Sequence, residues 1–576
     1  MYIETVPNRG SRPAILLREG WREGKKVHKR TLANLTDWPA QRIAALRRVL
    51  KDEPLMHPSE VFVIERTLPH GHVEAVLGMV RKLGLDRLIA SKRSRERDLV
   101  LAMVVERVVH PCSKLATTRL WHSTTLAEEL EVADADEDDL YQAMDWLLER
   151  QARIEQRLAE RHLAEGVQVL YDVSSSYYEG RTCPLMQFGH NRDGKKGKTI
   201  VVYGLLADVE GRPVALEVYA GNTADPTTVP DQVEKLRQRF GLEQIVLVGD
   251  RGMLTQTQIE HLKRHPGLGW ISALRSASIR QLLDAQVLQP SLFDERNIAE
   301  IYSPAFPGER LVACFNPLLA EERTRKREAL LQATERELER IARQVARRTR
   351  TPLSAAQIGH KLGRVLNRFK VGKHFALSIE EGAFAYRREE ATIGRECALD
   401  GIYVIRTSEG PERCSTEQTV RSYKNPAQVE QAFRCLKGTD LLIRPIRHRD
   451  EARVRAHIFL CMLAYYLEWH LRKALAPLLF DDEELEQQRG RRDPVAAAKP
   501  SASAQEKKQR LRTPDGLPVH SFETLLAELG TRSRNYCRVK ADPQSPAFTQ
   551  ITEPNPLQQR AFELLGLFPV PGTAVA

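Results

Sequence analysis

Three acidic side chains stand where their surroundings make an acid conspicuous. Asp172 interrupts the apolar run VQVLYDVSSS (167–176), and Asp250 follows IVLVG (245–249) directly. An acid inside or just beyond a buried strand is costly unless it is paired, hydrogen-bonded or bound to a cation. Open α/β sheets bind ligands beyond the carboxyl ends of their strands, so two such acids could share a divalent cation. Each also has an ordinary reading as a helix cap or a turn acid. Asp208 illustrates the ordinary one: it too follows an apolar strand, but Gly211 marks a hairpin turn there.

A third acid must come from farther along. In RSYKNPAQVEQAFRCLKG, Val429, Phe433 and Leu436 form an apolar helical stripe, and Glu430, Arg434 and Lys437 lie on the stripe beside it. That second stripe could present one carboxylate to a metal and two cations to phosphates. It could equally be a surface Glu–Arg pair worth about 0.2–0.5 kcal/mol. Asn425 suits the N-cap, Pro426 the first helical position and Gln428 the capping-box partner.

The elements that must position these groups are legible in outline. Residues 1–36 read as a hairpin, with PAILLRE and KKVHKRTL flanking Gly20 and Gly24. Residues 59–165 read as helices; His110-Pro111 ends one of them and Ser113 caps the next. The pattern then changes to strands at 167–176, 198–207 and 212–220, followed by alternating helices and buried strands up to 275. This predicts a mixed α/β core.

Residues 276–398 break the rhythm, with strands expected near 298–303, 310–315, 374–379 and 383–388. They also hold a long helix in which Leu331, Leu338 and Val345 recur every seven residues. The α/β texture resumes with GIYVIRTS (401–408), a helix at 426–437, a strand-like LLIRPIRH (441–448) and an apolar helix at 452–472. Residues 481–515 are poor in apolar side chains and read as a disordered linker.

Composition narrows the function. The chain of 576 residues has 87 Lys+Arg against 76 Asp+Glu, a net charge of +11. Residues 1–50 hold eleven basic and four acidic side chains, and residues 421–455 hold nine and four. Such clusters suit a polyanion, nucleic acid above all, or form a solvated basic surface. No apolar run approaches a membrane span, and the first residues lack a signal core. Eight cysteines are scattered without metal-site spacing, as expected of reduced thiols in a cytosolic protein.

Taken together, YDVSSSYYEG, LVGDRGM and the triplet Tyr423, Glu430 and Lys437 at seven-residue intervals resemble the insertion-sequence DDE transposases with the Tyr-Arg-Glu-Lys signature. The acids are spaced by 78 and then 180 positions, the second gap long enough for an inserted domain. HPCSKLATTRLW, GNTAD (221–225) and RHRDEARVRAHIFLCMLAYYL are similar to the same family. The likeness runs from about residue 2 to 475. One position departs: the signature Arg falls on Pro426, which leaves Lys424 or Arg434 to supply that charge.

The resemblance implies an α/β fold. An RNase H-like catalytic core, a mixed sheet with flanking helices (166–275 and 399–480), would be interrupted by a mainly β insertion domain (276–398). A β-hairpin plus helical N-terminal DNA-binding domain (1–165) would precede it. A linker (481–515) and a tail (516–576), a candidate dimer contact, would follow. Asp172, Asp250 and Glu430 would be catalytic and hold two Mg²⁺ ions, with Mn²⁺ able to substitute. Tyr423, Lys437 and Arg434 would bind DNA phosphates, with Tyr423 approaching from a loop. Partners would be double-stranded DNA, as element ends and target, and a second copy in a homodimer on DNA. No membrane is implied, and the protein would work in the cytoplasm at the nucleoid. Alternatives are a non-transposing RNase H-like nuclease or an inactive DNA-binding derivative.

Overall fold

The computed structural model describes residues 1–52, 61–540 and 546–568. In chain order the first strands are β1 (Tyr2–Asn8), β2 (Ser11–Glu23), β3 (Lys26–Asn34), β4 (Phe62–Pro69), β5 (Gln168–Tyr177), β6 (Ile200–Ala207), β7 (Pro213–Ala220), β8 (Ile245–Val248) and β9 (Leu268–Ala273). Then come β10 (Ile298–Ile301), β11 (Arg310–Phe315), β12 (Phe375–Glu380), β13 (Ala383–Arg388), β14 (Ile402–Thr407), β15 (Ser533–Val539) and β16 (Phe548–Ile551). The chain divides into two compact units, Met1–Leu68 with Ser533–Glu553, and Pro69–Arg532 with Pro554–Ala576.

The first unit holds two three-stranded sheets, β1-β2-β3 and β16-β15-β4. The expected hairpin is present as β2–β3, but β1 adds a third strand, with Thr5 opposite Ile15. Residues 62–69 form a strand where a helix was expected. Val61, Val63 and Ile64 are β-branched and favour an extended chain. Residues 59–60 of the expected helical region lie outside the described residues.

The second unit contains a helical bundle and a large sheet. Helix Arg95–Val109 ends at His110, and Ser113 Oγ accepts the amide of Ala116 to start helix Lys114–Leu120, as read from the sequence. Helices Glu137–Glu149 and Gln151–His162 complete this part of the bundle. Helix Glu451–Leu475 is apolar almost all round and packs against Arg95–Val109, Glu137–Glu149 and β7. Such a helix belongs in a core, not on a surface. Glu155 ties bundle to sheet. It is fully buried, accepts the Leu216 amide of β7 at 3.0 Å, and pairs with Arg239 at 2.9 Å and Lys235 at 3.5 Å.

The main sheet has the order β10-β11-β14-β9-β8-β5-β6-β7. β5, β6 and β7 are antiparallel neighbours, whereas β8 and β9 run parallel to β5. β8 is buried along its whole length, as its unbroken apolar run requires. The turn between β6 and β7 contains Gly211 at φ +82°. A Cβ there would come within 2.8 Å of the Gln428 Cβ on helix Pro426–Lys437. That close approach helps to seat the helix that carries Glu430.

Four sequence expectations need correction. Residues 276–398 are not mainly β. Strands β10 and β11 join the main sheet beside β14, and the rest is chiefly the helical pair Pro317–Ala346 and Ala355–Phe369 with the small β12–β13 hairpin. Leu331, Leu338 and Val345 are buried in that pair's own core. Residues 481–515 are not disordered but include helices Leu485–Arg491 and Ala502–Arg510. Their anchors are polar, which hides them from a hydrophobicity reading: Lys507, 5% exposed, donates to the carbonyls of Ala476 and Leu479 and pairs with Glu483.

The tail is the third case. Helices Phe522–Gly530 and Pro556–Leu565 pack on helix Gly71–Leu83 and bury Leu525, Leu529 and Phe562, so they are built into the bundle and are not a separate tail. Residues 541–545 and 569–576 of the tail lie outside the described residues. Fourth, LLIRPIRH is no strand; its one strand-like pairing among the described residues is an isolated bridge between Ile446 and Tyr178.

Candidate active site

The parallel pairing of β5 with β8 brings two of the acids together. Leu170 is opposite Val248, so Asp172 and Asp250 each lie two positions farther along neighbouring parallel strand paths. Strands in one sheet are about 4.8 Å apart. Asp172 is on the strand, half-buried, and accepts the amide of Val173 at 2.8 Å. Asp250 sits just past the end of β8 and is exposed. Its Oδ1 accepts the amides of Gly252 (2.9 Å) and Met253 (2.7 Å), which fixes the carboxylate's direction.

Glu430 lies on helix Pro426–Lys437, which packs on β5 and buries Val429 and Phe433. Its side chain is 63% exposed, with only Arg434 beside it at 3.8 Å. Asp172, Asp250 and Glu430 line one pocket of about 500 Å³. Burial raises the Asp172 pKa to about 7, and the negative charges of Asp250 and Glu430 push it in the same direction.

The pocket also holds groups that the sequence reading did not single out: Arg192, Asp193, Asp225 and Arg444. Arg192 is ion-paired with Asp225, within the GNTAD motif. Asp193 is fully buried at its side chain. It accepts the Tyr177 amide at 3.0 Å and pairs with both Lys437 (3.2 Å) and Arg444. The only hint in the sequence was an Arg-Asp pair in an otherwise glycine- and lysine-rich loop, a signal too local to reveal a partner 244 positions away.

The expected phosphate contacts are placed unequally. Arg434 is 70% exposed beside Glu430. Lys437 lines the pocket but is 12% exposed and held by Asp193. Tyr423 ends helix Thr416–Tyr423 and so does not approach from a loop; burial, then the nearby charge of Asp250, raises its pKa. Lys424, a candidate to replace the Arg displaced by Pro426, instead donates to the carbonyls of Pro494, Val495 and Ala496. The predicted capping box is absent. Asn425 has helical backbone angles, makes no side-chain cap and accepts a hydrogen bond from Arg489. One helix runs almost directly into the next there, leaving no extended N-cap residue.

A tighter group of metal-ligand types, Cys435, Asp440 and Glu468, lies elsewhere, with ligand atoms within 4.8 Å of one another. Arg472 already neutralises it, bonding Glu468 at 2.5 Å and Asp440 at 3.1 Å. Burial pushes the Cys435 thiol up to about 12, so it is not a ready thiolate ligand.

Asp193→Ala should leave Lys437 and Arg444 without their shared counter-charge. The expected cost is about 1–3 kcal/mol. It would be read as a lower midpoint of thermal unfolding, together with slower DNA cleavage. An unchanged midpoint would mean that the two cations find solvent or other acids at no cost.

The transposase DDE domain matches residues 181–467, a span that includes Asp250 and Glu430 and begins beyond Asp172. The chain belongs to the insertion-sequence DDE transposases. Its residues 3–55 match the N-terminal domain of the IS1634 family transposases. Among solved structures, the cryo-EM structure of a piggyBac transposase synaptic complex with hairpin DNA is similar at TM-score 0.33 and 10% identity, over 80% of this chain and 76% of that one. No curated protein matches the sequence. Among the described residues, no helix is long and apolar enough to cross a membrane.

Proposed function

We propose that this transposase binds the ends of its own insertion sequence, hydrolyses a phosphodiester at each end, and joins the freed 3′-hydroxyl to target DNA. Asp172, Asp250 and Glu430 are the catalytic acids in this reading. The observation that carries it is the shared pocket: adjacent parallel strands present Asp172 and Asp250, and a helix packed on the same sheet presents Glu430. An RNase H-like core is supported by the order β7-β6-β5-β8-β9, three antiparallel strands followed by two parallel to β5.

The donor set fits Mg²⁺ or Mn²⁺, since it offers hard carboxylate oxygens and no thiol or imidazole. Burial, and after it the charges of Asp250 and Glu430, raises the Asp172 pKa, and a bound cation would offset both. Asp172, Asp250 and Glu430 would hold two such ions, which supply an activated oxygen nucleophile and charge stabilisation for the leaving 3′-oxygen. The protein's own part is orientation. The Gly252 and Met253 amides aim Asp250, and Asp193 holds Lys437 and Arg444 against the pocket. Arg434, 70% exposed beside Glu430, can meet a phosphate and replaces the signature Arg lost to Pro426. Tyr423 and Lys437 complete the phosphate contacts.

The N-terminal unit binds the ends through the basic surplus of residues 1–50, eleven basic side chains against four acidic. Cutting two ends together calls for a homodimer on DNA, and the protein works in the cytoplasm at the nucleoid. The test is strand cleavage of duplexes carrying the element's ends, with Mg²⁺, with Mn²⁺ and with chelator. Cleavage at the ends in either metal, stopped by chelator, is expected. Degradation of any DNA regardless of ends would favour an RNase H-like nuclease. Tight end binding with no cleavage would mean an inactive DNA-binding derivative.

A further inference from the structure

A second cationic feature adjoins the acid pocket. A cavity of about 590 Å³ lies between helix Arg95–Val109, the start of helix Lys114–Leu120, and the segment that leads into helix Glu451–Leu475. Arg107, Lys114, Arg444, Arg447, Arg449 and Arg453 all line it. Asp450 is the one carboxylate in its wall, and it is occupied in capping helix Glu451–Leu475 through the amides of Ala452 and Arg453. Arg453 also reaches Asp145 at 3.6 Å and stacks over the Tyr141 ring.

Two of these cations are buried without partners. Lys114 is 4% exposed and Arg107 is 5% exposed. Among the described residues neither side chain makes a hydrogen bond or an ion pair, and Arg107 Nε is buried unsatisfied. The adjacent acid, Glu106, feels the charge of Arg107 but has both carboxylate oxygens unsatisfied, and burial raises its pKa to about 7. Burial first, then Arg107, lowers the Lys114 pKa to about 7. His448, in the same wall, is pushed down to about 4 by burial and by Lys114, Arg107 and Arg453. Buried cations without partners weaken a fold. Keeping two of them side by side at a cavity is intelligible when an anion completes them.

Arg444 lines this cavity and the acid pocket alike. We propose that the cavity is a second phosphate-binding site, in which Lys114 and Arg107 hold a backbone phosphate of the DNA strand whose scissile phosphate lies at the acids. Arg444 bridges the two sites. This rests on the transposase reading for the identity of the strand, while the site itself rests on the unpartnered cations.

The test uses the full-length protein with Lys114→Met, Arg107→Gln and the double variant. Binding to a duplex bearing the element's ends is measured across a salt series, alongside thermal unfolding, end cleavage, and transfer of pre-cleaved ends into a plasmid. Affinity for the end duplex should fall about tenfold in the double variant, and the slope of log affinity against log salt should flatten by about one. The unfolding temperature should hold or rise, because a buried unpaired charge has been removed. A merely structural role would lower it instead.

A defect in plasmid transfer with end binding intact would assign the cavity to the target strand rather than the element's end. Wild-type affinity, salt slope, cleavage and transfer in a folded double variant would overturn the proposal and leave the transposase reading standing. Lost DNA affinity in the variants, with a wild-type protein that never cuts ends, would keep the cavity as a DNA site and sink the transposase reading.

Discussion

Asp250→Asn lowers the rate of end cleavage about a thousandfold or more while leaving affinity for the end duplex intact. A thousandfold corresponds to about 4 kcal/mol of barrier. The asparagine keeps an oxygen for the Gly252 and Met253 amides, so the turn after β8 is preserved and only the charge is lost. Asp250 is exposed, so its loss does not open the core. Asp250→Ala should fall as far as Asp250→Asn, since in both the missing element is the ionised carboxylate and not a packing contact. Glu430→Gln should behave alike, because its exposed side chain supports no fold contact beyond Arg434 at 3.8 Å. The measurement is single-turnover cleavage of labelled ends beside a gel-shift titration. An Asp250→Asn protein retaining a tenth of the wild-type rate would remove Asp250 from the catalytic set.

Glu155→Ala should produce the largest loss of stability, about 3 kcal/mol. Breaking a buried ion pair by deleting one partner costs about 3–5 kcal/mol. The lower end applies here because Lys235 keeps Glu217 at 3.0 Å. The Leu216 amide and the Gln151 side chain both lose their acceptor, and Arg239 loses its partner. Glu155→Gln retains an oxygen for the Leu216 amide and should lose less. The check is the urea midpoint of unfolding. A Glu155→Ala midpoint equal to that of the wild type would mean that bundle and sheet are held together without this residue. Catalysis should respond only through the fraction folded, since Glu155 touches none of the pocket acids.

Much of the site was legible because each signal was local. An acid within an apolar strand, an acid at a strand end and a charged stripe beside an apolar one are read from a few neighbouring residues. The strands of the central sheet were legible for the same reason, since β5 to β9 and β14 are runs whose side chains face a core on at least one side. Helix Glu451–Leu475 announced itself by being apolar around almost its whole circumference.

Other features depended on partners distant in the chain. Residues 62–69 became a strand because β15, nearly five hundred positions away, supplies its hydrogen bonds. β10 and β11 joined the main sheet because β14 offered an edge, which their own short runs did not disclose. The segment 481–515 is ordered by lysine and arginine donating to backbone carbonyls, a polar form of anchoring that composition reads as solvation. Composition and periodicity by themselves determined a basic α/β protein; Asp172, Asp250 and Glu430 were candidates there, and the family resemblance singled them out. Only the tertiary structure decided that β5 and β8 pair in the register that aligns the first two acids, that Asp193 holds Lys437 and Arg444, and that Lys114 and Arg107 share a cavity without a counter-charge. The division has one physical cause. Hydrophobic pattern is set by adjacent residues, whereas register and charge pairing are set by whichever strand or helix packs alongside.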